Sequence, residues 1–295
     1  MRYAAIDIGS NAVRLLIADI IENNRLVSFK KTTLIRVPLR LGDDAFLDQR
    51  LSDKKANDLI KTMQAFRNLM DVYKVTDYTA CATSAMREAK NGGEIAASIK
   101  NAADIDLEII SGQKEAGIIY SNHIAQDIDK NKSYLYIDVG GGSTELSLFS
   151  TGGLWASGSF NIGTIRMLDN RDTEENWTGM KNFLRENTRQ FKSITGIGTG
   201  GNINKLYKLA EEKNNAPLTF GKLKSLYHYL DSFSLKDRIN ILSLNPDRAD
   251  VIIPACEIYL TVMKSANIKD LYVPTVGLVD GIIQTLIEKN FPKTI

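Results

Sequence analysis

Three glycine-bearing turns follow strand-like segments in this sequence: Asp7-Ile8-Gly9-Ser10-Asn11, Asp138-Val139-Gly140-Gly141-Gly142-Ser143 and Gly196-Ile197-Gly198-Thr199-Gly200-Gly201. Glycine lacks a Cβ, so several backbone N–H groups can converge on one anion, and a short hydroxyl adds a donor. Gly9, Ser10, Asn11, Gly140, Gly141, Gly142 and Ser143 are therefore candidate phosphate-binding residues. The plainer alternative is a tight hairpin in which glycine only supplies φ > 0. Asp7 and Asp138 each end a strand, where a buried carboxylate is costly without a partner. Beside phosphates a hydrated Mg2+ suits that role, because it takes one or two carboxylates plus water. Glu145 lies seven residues after Asp138 and faces the same ion if the hairpin is tight. Otherwise it is a solvated strand carboxylate. Asp7, Asp138 and Glu145 are thus the expected metal ligands.

Two further residues carry charge into this setting. Arg87, in Ala82-Thr83-Ser84-Ala85-Met86-Arg87, follows a strand-to-helix turn, and its guanidinium can fork onto phosphate oxygens. Its alternative is an ordinary exposed helix cation. Glu115 stands in the first turn of a helix after Ser111-Gly112, where a carboxylate by itself only complements the helix dipole. The chain has no serine elbow, no histidine dyad and no thiolate site, which leaves a carboxylate as the main candidate for activating water. His123 and His228 fall in helical stretches away from the glycine turns and read as core or surface residues.

The elements around these residues alternate between strand and helix. Tyr3 to Ile8 and Val13 to Ile20 read as strands around the first turn, followed by Arg25 to Thr33. Ser52 caps a helix with apolar residues at three- and four-residue spacing. Tyr134 to Val139 and Ser143 to Phe149 repeat the opening hairpin, with Asp138 in the place of Asp7, and Trp155 to Phe160 repeats the third strand. An internal duplication into two like-folded α/β lobes is the economical explanation. The expected lobes are residues 1–125, with a helix of about 279–295 packing back on them, and residues 126–278. A single helix is expected from Asp247 to Ala266.

Composition narrows the class. The 295 residues include 37 basic and 35 acidic side chains, a net charge of +2, which excludes a broad basic face for DNA. Two cysteines, Cys81 and Cys256, exclude a disulfide scaffold, and two histidines exclude a histidine-rich metal site. With no signal-like leader and no membrane-length apolar run, the expected setting is cytoplasmic, away from membranes, and a homodimer is the expected assembly.

In this order the motifs resemble the exopolyphosphatase and guanosine pentaphosphate phosphohydrolase (Ppx/GppA) family, within the actin-like ATPase superfamily. The resemblance runs from Ala5–Asn11 through Ala82–Ala89, Ile110–Ala116, Ile137–Leu146, Gly198–Asn202 and Arg248–Ile252 to Gly277–Gly281, essentially the whole chain. It implies two ribonuclease H-like lobes with an interlobe cleft, and release of terminal phosphate from inorganic polyphosphate or guanosine pentaphosphate. Glu115 matches the family's catalytic glutamate. Asp138 and Glu145 match its divalent-metal region. Ser10, Asn11, Arg87 and Gly140 to Ser143 match its phosphate-cradling positions. The sequence departs from the pattern at Lys114, where a second acid is usual, and at Gly117, where an arginine is usual. A non-catalytic sensor of alarmones or polyphosphate is the alternative those departures allow. An ATP-dependent phosphotransferase of the same fold is another.

Overall fold

The computed structural model describes residues 1–23, 26–121, 129, 131–151, 153–212, 216–274 and 276–292. Its internal contacts divide the chain into two units, Met1–Gln126 with Gly277–Ile295, and Asp127–Val276. The architecture is mixed α/β, with one sheet in each unit.

The first sheet comprises β1 (Arg2–Ile8), β2 (Val13–Asn23), β3 (Leu26–Val37), β4 (Asp77–Ala82) and β5 (Leu107–Ile109) in the order β3-β2-β1-β4-β5. β2 runs antiparallel to β1 and β3, whereas β4 and β5 run parallel to β1. β1 is the middle strand, and Ala4, Ala5, Ile6 and Ile8 are fully buried, as a near-continuous apolar strand requires when both faces are covered. β3 runs four residues past the expected end at Thr33, because as an edge strand it tolerates Arg36 and partly exposed positions. α1 (Leu41–Asp48) and α2 (Asp53–Val72) connect β3 to β4, α3 (Ser84–Glu88) and α4 (Gly92–Ala103) connect β4 to β5, and α5 (Gly112–Ser121) follows β5. α2 begins where Ser52 accepts the Lys55 N–H, and it buries Leu59, Met63, Phe66 and Met70 along one stripe.

The second sheet comprises β6 (Ser133–Val139), β7 (Thr144–Ser150), β8 (Gly153–Phe160), β9 (Ile194–Thr199), β10 (Leu218–Thr219) and β11 (Asp270–Tyr272), in the order β10-β11-β9-β6-β7-β8. From β8 to β11 the order and strand directions repeat those of the first sheet, and β10 adds an antiparallel edge. Both units therefore have the ribonuclease H-like arrangement. Helices α6 (Thr164–Leu168), α7 (Glu174–Thr188), α8 (Gly200–Leu209), α9 (Phe220–Asp231), α10 (Leu235–Asn240), α11 (Pro246–Ala249) and α12 (Ile252–Ser265) complete this unit. One face of the sheet, with Leu135, Ile137, Val139, Leu146 and Leu148, joins a single core with Cys256, Tyr259 and Met263 of α12.

The helix expected from Asp247 to Ala266 is two helices, α11 and α12. Asp250 accepts the Val251 N–H at 2.8 Å, and Pro254 falls in the first turn of α12, where its missing N–H removes no helical bond. The last helix, α13 (Leu278–Asn290), belongs to the first unit and packs on α5, β1 and β4. Asp280 accepts the Gly277 N–H at 2.9 Å and pairs with Lys31 of β3 at 2.6 Å, fixing the start of that helix.

Candidate active site

The two hairpin turns share one hydrogen-bond plan. In the first, the Gly9 N–H donates to Ala12 O at 3.2 Å; in the second, the Gly140 N–H donates to Ser143 O at 2.9 Å. Gly140 and Ser143 hold the places in the repeat that Gly9 and Ala12 hold in the opening hairpin. The outer carbonyls are then taken up by the next helix. Ser10 O and Asn11 O accept the N–H groups of Gly42 and Arg40, while Gly140 O accepts that of Thr164 and Gly141 O those of Ile165 and Arg166. A trans peptide sets each N–H opposite the preceding C=O, so the N–H groups after these carbonyls, at Asn11, Ala12, Gly141 and Gly142, turn to the other side of the loop. That orientation suits an anion.

In the first unit, the Ser10 hydroxyl meets the Ser84 hydroxyl at 2.8 Å, which ties the turn to the start of α3. Arg87, on α3, donates from Nη1 to Ile110 O at 2.7 Å, at the entrance to the loop that starts α5. The structure thus brings Ser10, Arg87 and the approach to Glu115 into one connected region. Glu115 is half-buried in the first turn of α5, and its N–H donates to Ser111 O at 2.9 Å. Lys114 faces away onto Glu108, at 2.5 and 2.7 Å, and Gly117 borders open space. α13 comes close beneath α5: a Cβ on Gly281 would collide with Ile118 O.

Asp7 is 4% exposed and is directly opposite Arg14 in the β1–β2 register, with Nη1 2.5 Å from Oδ2. Burial pushes its carboxyl above the usual range, and the guanidinium works against that. Arg14 thus places a positive charge on the carboxylate at which a metal ion was expected. On the same row of the sheet, Cys81 and Glu108 follow Asp7 in register, and burial, reinforced by Glu108 and Asp7, pushes the Cys81 thiol up to about 12.

In the second unit, Asp138 and Glu145 are directly opposite each other in the β6–β7 register. Cross-strand partners put their side chains on one face with Cβ atoms about 4.5–5.5 Å apart. Glu145 is 4% exposed, and its Oε1 accepts the hydroxyls of Ser143 at 2.6 Å and Ser159 at 3.0 Å. Asp138 lies against Gly200, which has φ +88°; a Cβ there would be 2.5 Å from Asp138 Oδ1. The Tyr259 hydroxyl reaches the carbonyls of Ile137 at 3.3 Å and Thr199 at 3.1 Å and ties the end of β6, which carries Asp138, to the end of β9, which leads into Gly200. Two carboxylates opposed in register, one of them buried, match the donor set of hydrated Mg2+. Among the described residues no group of three or more His, Cys, Asp or Glu forms a larger metal cluster.

Arg166 and Gly163 carry no signal in the sequence, and Asn202 and Arg248 stand there only within the motifs that carry the resemblance. Arg166 is 7% exposed and donates from Nε to Gly142 O at 2.8 Å. Gly163 passes so close to the second turn that a Cβ would collide with Gly141 O. Arg248 donates to Asn202 Oδ1 at 2.8 Å, and Asn202 donates to Val139 O at 2.9 Å. Arg14 did leave a signal, since it lies seven residues after Asp7 as Glu145 lies seven after Asp138. The third glycine run has the letters G-x-G-x-x-G, yet Gly196 and Gly198 lie inside β9. They make room for Ile268, Leu271 and Ile203 of the core. His228 is exposed on α9, and His123 lies outside the described residues. Among the described residues no helix is long and apolar enough to cross a membrane.

A duplicated ribonuclease H-like unit, opened each time by a glycine hairpin, is an actin-like fold. The sequence matches the Ppx/GppA phosphatase family over residues 20–290. The chain belongs to that family. It is 29% identical over 277 residues to a bifunctional 3-dehydroquinate synthase/phosphatase of Fusobacterium nucleatum, covering 85% of this chain and 41% of that protein. The chain therefore spans about two fifths of that relative's length. A putative exopolyphosphatase of Haemophilus influenzae is 24% identical, with 98% of this chain and 92% of that one covered. A crystal structure of an exopolyphosphatase from Cytophaga hutchinsonii superposes with a TM-score of 0.84 over 98% of both chains at 23% identity, a likeness of fold.

Proposed function

We propose that this protein is a Mg2+-dependent phosphohydrolase that releases terminal phosphate from inorganic polyphosphate or guanosine pentaphosphate. The observation that carries this reading is the Asp138–Glu145 pair set face to face beside the Gly140–Ser143 turn, in a chain of the Ppx/GppA family. The relative named as a putative exopolyphosphatase and the sequence resemblance to guanosine pentaphosphate phosphohydrolases supply the two substrates.

The roles divide by chemistry. N–H groups of Gly141, Gly142 and Ser143, with Ser10, Asn11 and the Gly9 turn, hold phosphate oxygens. Arg87 keeps one N–H on Ile110 O, which orients the remaining guanidinium donors toward an anion. Asp138 and Glu145 would hold Mg2+, whose charge offsets that on the phosphoryl oxygens. Glu115 orients a water and takes its proton as the water attacks the terminal phosphorus in line, and the shortened polyphosphate or guanosine nucleotide departs with the anhydride oxygen. Most of the acceleration then comes from positioning and preorganised charge.

Phosphate release from both substrates, measured side by side with and without Mg2+, tests the reading. Glu115→Gln is expected to lower turnover by about 10²–10⁴-fold, the worth of a general base, with substrate binding retained. Unchanged release from that variant would remove Glu115 from the reaction. Tight binding with no release by the native protein would favour the sensor.

A further inference from the structure

The two hairpins are copies, yet they solve the same electrostatic problem differently. Position for position in the repeat, Asp7 corresponds to Asp138 and Arg14 to Glu145. Both pairs are direct cross-strand partners. In the first hairpin the acid faces a guanidinium at 2.5 Å; in the second it faces another acid. We infer that Arg14 is a built-in cation that takes the place of a metal at the first hairpin, so that the chain binds one divalent ion, at Asp138 and Glu145, and none at Asp7. This inference rests on the metal-dependent reading above.

The surroundings of the two acids agree with that division. Asp7 is 4% exposed, and the same guanidinium stands 3.6 Å from the point where a Cβ on Gly9 would be, so Arg14 lies along the turn itself. A fixed positive charge there occupies the place an ion would take, since it sits on the Asp7 carboxylate and offsets a phosphate chain on the neighbouring N–H groups. Asp138 is more accessible than Asp7 and rests on the Cβ-free surface of Gly200, while Glu145 takes two hydroxyl donors on a single oxygen. The second hairpin thus sets carboxylate opposite carboxylate in register, the arrangement that recruits a cation. Arg14 is a positioning residue in this scheme. Duplication followed by one acid-to-base difference turns two potential ion sites into one.

The test is the stoichiometry of Mn2+, used as the probe ion and counted by electron paramagnetic resonance and calorimetry on the full chain without substrate. One tight equivalent is expected for the native protein and for Asp7→Asn, and none for Asp138→Asn. Arg14→Glu, which gives the first hairpin the acid pair of the second, is expected to raise the count to two. If Arg14→Glu does not fold, Asp7→Asn and Asp138→Asn still decide the matter. Two native equivalents, one of them lost in Asp7→Asn, would overturn the inference and leave the metal-dependent reading standing. No tight equivalent in the native protein would overturn both.

Discussion

Gly200 offers the sharpest test of how the second unit positions its acidic pair. Its φ of +88° is strained for any residue with a side chain, and a Cβ would sit 2.5 Å from Asp138 Oδ1. In Gly200→Ala the left-handed backbone costs about 1–2 kcal/mol. At roughly 2–4 °C per kcal/mol for a domain of this size, the melting temperature falls by about 2–8 °C. Ordinary contact needs about 1 Å more separation than the variant allows, and the yielding atom is the Asp138 carboxylate rather than the strand, which Tyr259 pins. A displacement of that size costs on the order of 10²-fold in rate, equivalent to about 2.7 kcal/mol. Gly200→Asn separates the two effects. Asn tolerates the left-handed backbone better but still carries a Cβ, so it is expected to melt higher than the Ala variant while losing the same activity. The assays are thermal melting and phosphate release titrated with Mg2+. A Gly200→Ala protein that keeps the native Mg2+ dependence and kcat/KM would refute the claim that Asp138 holds the ion from its present position.

Other variants probe the scaffold around the site. Gly281→Ala drives a methyl group onto Ile118 O, and overpacking of this kind costs about 1–3 kcal/mol. The shift falls on α5, so turnover is expected to drop with Glu115 intact, and native turnover would show that the α5–α13 approach does not set the position of Glu115. Arg166→Met removes a buried donor from Gly142 O, with an expected loss of about 1.5–3 kcal/mol; a melting temperature indistinguishable from native, on the scale of roughly 2–4 °C per kcal/mol, would refute it. Cys81 and Cys256 are buried, and burial pushes both thiols up to about 12, so both stay protonated and inert at neutral pH. A disulfide reagent is expected to modify neither in the folded protein and both after denaturation. Rapid labelling of the folded protein would contradict that burial.

Much of this protein was written locally. The strand–turn–strand pattern shows in apolar runs broken by glycine, and its return in the second half of the chain reports two like units, because a hairpin is specified by residues adjacent in the chain. The same locality made Asp138 and Glu145 legible as partners: residues flanking a tight turn can only meet across it. Arg14 was equally visible as the counterpart of Glu145, although only the ion pair shows that it satisfies Asp7. The break between α11 and α12 was marked by Pro254, which apolar spacing alone overlooks.

Tertiary structure decided which glycines serve the site and which serve the core. Gly196 and Gly198 yield space to core side chains, whereas Gly200 yields it to Asp138, far earlier in the chain. Arg166 on Gly142, Gly163 against Gly141, Asn202 on Val139 and Gly281 against Ile118 are likewise contacts between separate elements. Such approaches leave no periodic trace, because sequence patterns record which face of an element is buried. What lies opposite that face is fixed only when strand order, register and helix packing bring distant segments to within a few ångströms.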